Sequence, residues 1–256
     1  MKISKIILYD EPSVSKLDLK NIQKFIIQTF GINSEVRENI FKKLNEKKQQ
    51  KIEDCIVSDL KKPFQKKSQL IKEISTDSEN MKISKETDSI YDGIEVNQII
   101  EETIPFEENI EKILHIIFTD KLIGTFDYDD YRYHARVWVG SNPIIISTTG
   151  IIEAPAKPKQ YYIDLMTNFS NESEETIREK YKEEFLEYND PRLPKIIEGY
   201  LIQSIMYYET GDVFCNDVKC RLFNAHWQKD LLISQIKNPS LCEQHTKILA
   251  KIKNSV

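Results

Sequence analysis

Glycine is scarce in this chain, with seven residues in 256, at positions 31, 93, 124, 140, 150, 199 and 211. None of them falls in GxGxxG or in GxxxxGK followed by Ser or Thr, so the common phosphate-cradling loops are excluded. Arginine is scarcer still: it supplies only six of the 36 basic residues, a compositional bias with no mechanism in it. Basic charge is also in deficit, 36 Lys and Arg against 41 Asp and Glu, for a net charge of -5. A protein that holds nucleic-acid phosphates shows the opposite balance, so nucleic acid is not an expected partner. No apolar run approaches the roughly 20 residues of a membrane helix, so no membrane role is expected. The start, MKISKIILYDEP, turns polar by residue 9, too early for a secretory apolar region, and a cytoplasmic location is expected.

What remains is a polar chain with material for a core. Hydrophobic residues make up 40%, charged residues 30%, and the mean hydropathy is -0.47. At this length one large domain or two small ones are expected.

The cysteines carry the strongest signal. There are four: Cys55, Cys215, Cys220 and Cys242. Three crowd the C-terminal end beside His226 and His245, in the pattern Cys215-x4-Cys220, 21 residues, Cys242-x2-His245. Two short hooks joined by a segment that folds back suit a tetrahedral zinc site, each hook supplying two ligands from one turn. Free buried cysteines and a redox pair are the competing readings, and His226 is the alternative to His245 as fourth ligand. Cys55, in KIEDCIVSDL, reads as a small core residue.

Along the chain, residues 3–9 read as a buried strand. Asp18 caps a helix through Phe30, with Leu19, Ile22, Phe25, Ile26 and Phe30 on one stripe and Gly31 as its stop. INSEVREN returns as a strand, and helical spacing runs from about Ile40 to Leu60. Residues 61–92, rich in Lys, Ser and Glu, read as a flexible charged linker or insertion between an N-terminal part, 1–60, and a core, 93–256. IEKILHIIFTDKLI suits a buried central strand. YHARVWVG and PIIISTTG suit a hairpin across Gly-Ser-Asn-Pro. Helices are expected near 173–188, 191–209, 223–237 and 242–253, with Asn189-Asp190-Pro191 opening the second and Gly211 ending it. Strands early and helices late indicate α+β.

The tail also carries a resemblance. Ser204-Ile205-x2-Tyr208-x2-Gly211-x3-Cys215-x4-Cys220-x-Leu222, 19 residues, Cys242-x2-His245 resembles the archaemetzincin signature HExxHxxGx3Cx4CxMx17CxxC with its catalytic head replaced. The glycine and the first two cysteines are in register; the last hook is displaced by two residues and ends in histidine. FCNDVKCRLFNAHWQ and TTGIIEAPAKP further resemble an archaeal group described as metallopeptidases. The resemblance spans residues 1–50 and 110–250. It implies a metzincin-like fold, a small twisted sheet with helices, closed by a C-terminal structural zinc ion. In that family two histidines on one helix face bind the catalytic zinc, and a glutamate beside the first is the general base. Those positions here are Ser204, Tyr208 and Ile205; the third ligand position is Phe214, and the methionine below the metal is Leu222. The resemblance therefore implies one retained structural zinc, bound by Cys215, Cys220, Cys242 and His245, and no catalytic residues.

Other ligand types are weaker signals. Asp127, Asp129, Asp130 and His134 in FDYDDYRYH are either a cation or acid–base cluster or a solvated turn. His115, in ILHIIF, reads as a core histidine, and Glu209 as an ordinary helix-end carboxylate. Ser147, Thr148 and Thr149 lack any His or Asp arrangement that specifies a nucleophile. The leading expectation is a non-catalytic peptide- or protein-binding relative of archaemetzincins. The alternatives are an active metal-dependent hydrolase with a site relocated to Asp127, Asp130 and His134, and a zinc-knuckle interaction module.

Overall fold

Turn residues and caps set the first elements where the sequence places them. The computed structural model describes residues 3–62, 89–167 and 173–254. Strand β1 (Lys5–Tyr9) precedes helix α1 (Leu19–Phe30), whose N-cap Asp18 accepts the N–H groups of Lys20 and Asn21. Gly31 ends α1 at φ 77, a left-handed conformation that costs glycine nothing. Leu19, Ile22, Ile26 and Phe30 are buried and Phe25 is half-buried, which is the expected stripe. Strand β2 (Asn33–Arg37) follows.

The helix expected over 40–60 is broken. Ile40–Lys43 form a 3-10 turn, and α2 (Glu46–Asp54) starts afresh. The reason is Asn45, whose side chain accepts the Lys48 N–H at 2.9 Å and so starts a new helix in mid-run. Most of the linker expected over 61–92 lies outside the described residues. Its last part forms β3 (Ile90–Asp92), and Asp92 then caps α3 (Gly93–Glu101), a helix the sequence reading missed.

The run IEKILHIIFTDKLI becomes two strands rather than one. These are β4 (Ile113–Thr119) and β5 (Leu122–Asp127), and they belong to different sheets. Strands β6 (Arg132–Arg136), β7 (Trp138–Val139) and β8 (Ile144–Ser147) follow. The expected hairpin is present between β7 and β8, turning through Gly140 and a cis Asn142–Pro143 bond. One sheet has five strands in the order β2-β1-β4-β8-β7, with β1, β4 and β8 parallel and β7 antiparallel to β8. The other has three, β3-β5-β6. Beyond β8 run α4 (Thr148–Glu153), α5 (Lys159–Met166), α6 (Glu174–Lys180), α7 (Leu193–Thr210), α8 (Gln228–Leu232) with a π turn at Ile233–Lys237, and α9 (Glu243–Lys253). Mixed sheets with a helical C-terminal half match the α+β expectation. The helices expected near 173–188 and 223–237 are shorter than expected.

The described chain divides into two compact units. One comprises Ile3–Ser13 and Ser34–Ile151 and contains both sheets; the other takes Val14–Asn33 and the residues from Ile152 onward. In the first, Ile7, Tyr9, Val96, Ile100, Ile117, Ile123 and Ile145 share one apolar cluster. In the second, Tyr161, Ile177 and Phe185 form a smaller one.

An ionic network links β1 and β2 to the segment that precedes β4. Arg37 pairs with Glu108 at 2.6 Å and with Glu35 at 2.7 Å, and Glu35 also meets Lys5. Hydrogen bonds from Arg37 and then Lys5 hold the Glu35 carboxyl at about 2, and Arg37 also lowers Glu108. His115 is fully buried, which lowers its pKa below the ordinary 6.5. Its Nε2 lies 3.1 Å from the Glu108 carbonyl, which only accepts, so Nε2 carries the proton and Nδ1 accepts from the Tyr9 hydroxyl. All three groups have depressed folded pKa values, so the stability they contribute is complete above the unfolded values and is lost on acidification. Urea midpoints are expected to fall from near pH 6.5 as His115 must charge, and more steeply between about 4.5 and 2. Glu35→Gln is expected to flatten the lower part of that profile; an unchanged slope would remove Glu35 from the account.

Candidate metal centre

Helix α7 ends at Gly211, whose φ of 82 and N–H to the Tyr207 carbonyl close the last turn. The chain then makes two tight knuckles. In the first, the Cys215 N–H donates to the Leu222 carbonyl at 2.9 Å and the Cys220 N–H to the Asp217 carbonyl at 2.9 Å. In the second, Cys220 bridges to Ser240, and the Arg221 N–H donates to the Ser240 carbonyl at 2.8 Å. That bridge delivers Cys242 as N-cap of α9, with His245 on the first turn.

The four side chains meet at one point. Cys215 Sγ is 3.9 Å from Cys242 Sγ, Cys220 Sγ is 3.6 Å from His245 Nδ1, and Cys242 Sγ is 3.0 Å from the same nitrogen. All four ligand atoms lie within 4.8 Å of one another. Zinc bonds of about 2.3 Å to sulfur and about 2.0–2.1 Å to nitrogen give a tetrahedron with edges of roughly 3.5–3.8 Å. The donor set and spacing fit that ion. Cys220 and His245 are buried, while Cys215 and Cys242 are half-buried. Burial pushes the Cys220 thiol up to about 12. Burial also raises Cys242, but the His245 N–H, the two neighbouring thiols and the Gln244 N–H outweigh it and set this thiol below its ordinary value. Donors at a helix N-terminus favour a thiolate there. His226 is exposed and outside this group, so geometry selects His245 as the expected partner.

Sequence reasoning missed the residues that support the knuckles. Arg221, between Cys220 and Leu222, is 5% exposed. Its Nη2 donates to the Lys195 carbonyl at 2.7 Å and its Nε to Gln235 Oε1 at 3.3 Å, while Gln235 Nε2 donates to the Arg221 carbonyl at 2.7 Å. Nothing local marks these residues, because their partners lie on α7 and in the π turn.

Among the described residues, none of the helix positions implied as catalytic belongs to a group of converging ligand types. Ser204 is fully buried and its hydroxyl donates to the Leu201 carbonyl at 3.2 Å; Ile205 is fully buried too. Tyr208 is half-buried, Phe214 is exposed and Leu222 is buried. Glu209 is half-buried near the end of α7. Ser147 is buried and donates to the Lys121 carbonyl at 2.7 Å, while Thr148 and Thr149 donate to the Thr119 and Asp120 carbonyls. These hydroxyls brace a loop. Asp127, Asp130 and His134 do converge, within 4.8 Å of one another, whereas Asp129 contributes its N–H to Asp127 rather than a carboxylate to the group.

A family model described as "Probable metallopeptidase family (DUF6775)" matches residues 2–252. The chain belongs to that family. Membership of this probable metallopeptidase family agrees with the resemblance read from the tail. Two solved structures are similar over nearly the whole chain. The archaemetzincin of Methanopyrus kandleri is 11% identical with a TM-score of 0.44, covering 99% of this chain and 97% of its own. A zinc-dependent peptidase of Methanocorpusculum labreanum is 7% identical with a TM-score of 0.46, covering 96% and 99%. No curated protein matches the chain. Among the described residues, no helix is long and apolar enough to cross a membrane.

Proposed function

We propose that this DUF6775 member is a non-catalytic, zinc-stapled protein that binds a peptide or protein. One zinc ion on Cys215, Cys220, Cys242 and His245 would hold the C-terminal knuckles together. When bound it supplies fixed geometry: four protein ligands leave no open position for water, as in structural zinc sites. The observation that carries the non-catalytic part is α7 itself. With Ser204 and Ile205 buried and Ser204 bonded to its own helix, positions 204, 205 and 208 hold neither an imidazole pair nor a carboxylate base. Among the described residues, ligand groups converge at two places, and neither uses a side chain of α7.

A general base contributes about 10²–10⁴-fold and a metal several kcal/mol more, so their joint loss is not made up by binding alone. Peptidase assays with added zinc, cobalt or manganese are expected to show no turnover. Labelled peptide libraries should nonetheless be retained on the immobilised protein. Turnover abolished by Asp130→Ala/His134→Ala would overturn this reading in favour of a hydrolase built on Asp127, Asp130 and His134. Neither retention nor turnover would remove the binding role and leave the zinc module.

A further inference from the structure

The hairpin of β5 and β6 carries ligating groups that have no part in the cysteine cluster. Its register sets Thr125 opposite His134 and Asp127 opposite Arg132. Asp127 and His134 therefore stand on the same face, diagonal to one another across the two strands. Asp130 reaches the same place from the turn, its Oδ2 2.7 Å from His134 Nε2. One oxygen from each aspartate and one imidazole nitrogen all lie within 4.8 Å of one another.

Two ordinary ion pairs do not account for that convergence. The His134–Asp130 contact is an exposed pair, of a kind worth about 0–1 kcal/mol, so a competing ligand displaces it at little cost. The other cation, Arg136, is drawn aside: its Nε donates to Thr125 Oγ1 at 2.8 Å, and its Nη2 stays 3.9 Å from Asp127 Oδ2, beyond hydrogen-bond length. Asp127 accepts the Asp129 N–H on its Oδ1 and makes a long, part-exposed ion pair with Arg136, which an incoming ion displaces at little cost. The turn is braced on the other face, where the Phe126 ring packs edge-on against Tyr128, Tyr131 and Tyr133.

We propose that Asp127, Asp130 and His134 form a second metal site, which takes a divalent first-row transition ion. Two carboxylates balance the charge of such an ion. One imidazole favours manganese, iron, cobalt or zinc over calcium and magnesium, which take oxygen ligands alone. Bonds of about 2.0–2.2 Å set neighbouring ligand atoms about 3 Å apart, so the 2.7 Å Asp130–His134 pair need open only slightly. The three side chains are one-third to one-half exposed, which leaves the remaining coordination positions to water. The inference rests on neither the zinc in the cysteine cluster nor the inactivity of α7.

Manganese is the probe, because soft thiolates discriminate against it and the cysteine cluster then stays out of the measurement. Full-length protein, freed of loosely held metal on a weak chelating resin, is titrated with Mn2+ while the free ion is followed by electron paramagnetic resonance. One bound Mn2+ per chain is expected. Asp130→Asn and His134→Ala are each expected to weaken it by about ten-fold or more. Zinc content of the same samples should not change, so failure at the cysteine cluster is read separately. Absence of bound Mn2+, or equal binding by both variants, overturns the proposal.

Discussion

Stripping the protein with a strong chelator is expected to release one zinc ion per chain and to unfold the knuckles from Gly211 to the start of α9. The thiols of Cys215 and Cys242 face each other at 3.9 Å, and the buried Cys220 thiol lies 3.6 Å from the buried His245 imidazole, contacts that supply little attraction of their own. The local backbone bonds in this segment, such as Cys215 to Leu222 and Arg221 to Ser240, are few. They do not offset roughly 1–2 kcal/mol of backbone entropy per ordered residue. Structural zinc supplies on the order of 10 kcal/mol in small modules. His245→Ala opens one coordination position and should cost most of the zinc content. Cys55→Ala should cost none, since Cys55 lies in the other unit and its thiol donates to the Lys51 carbonyl. Zinc content and amide exchange over 211–253 read both effects. Zinc-free protein with full protection in this segment would sink the assignment.

Gly199→Ala is expected to destabilise the helical unit by about 1–3 kcal/mol, against the usual trend. In an ordinary helix interior this change gains up to about 1 kcal/mol. Here an added Cβ would stand 1.7 Å from Gln235 Oε1 and 3.1 Å from Arg221 Nε. Gln235 cannot swing away freely, because it donates to the Arg221 carbonyl and accepts from the Arg221 guanidinium. Displacing it breaks the two bonds that tie Arg221 to the π turn and leaves the guanidinium on Glu198 and the Lys195 carbonyl, so the knuckle at Cys220 loosens and zinc retention should weaken as well. A melting temperature lower by several degrees is the expected reading. An unchanged or raised value would mean that the π turn yields without loss.

The features that could be read along the chain are those whose cause is local. Asp18 caps α1 with its own carboxylate two and three residues on, and Gly31 and Gly211 end helices because a left-handed residue is required there. The two hooks of the Cys215, Cys220, Cys242 and His245 cluster belong with these, since each pair of candidate ligands is close in sequence. Asn45 belongs here as well, a local cap that the apolar spacing continuing past it conceals. That Ser204, Ile205 and Tyr208 stand where the resemblance calls for two histidines and a glutamate needed no coordinates either. Other features depend on segments far apart in sequence. Whether Ile113–Asp127 makes one strand or two depends on neighbours that arrive from β1 and β8 on one side and from β3 and β6 on the other. His115 reads as a core residue from its apolar run, but its neutral tautomer is set by Tyr9 and Glu108. Arg221, Gln235 and Gly199 come from three separate elements, and none carries a mark of its role. Asp127, Asp130 and His134 are close in sequence, yet only the β5–β6 register puts them on one face; a shift of one residue would turn His134 to the opposite side. Caps and ligand hooks act over three or four residues, whereas strand pairing and buried polar networks are chosen by whatever the folded chain brings alongside.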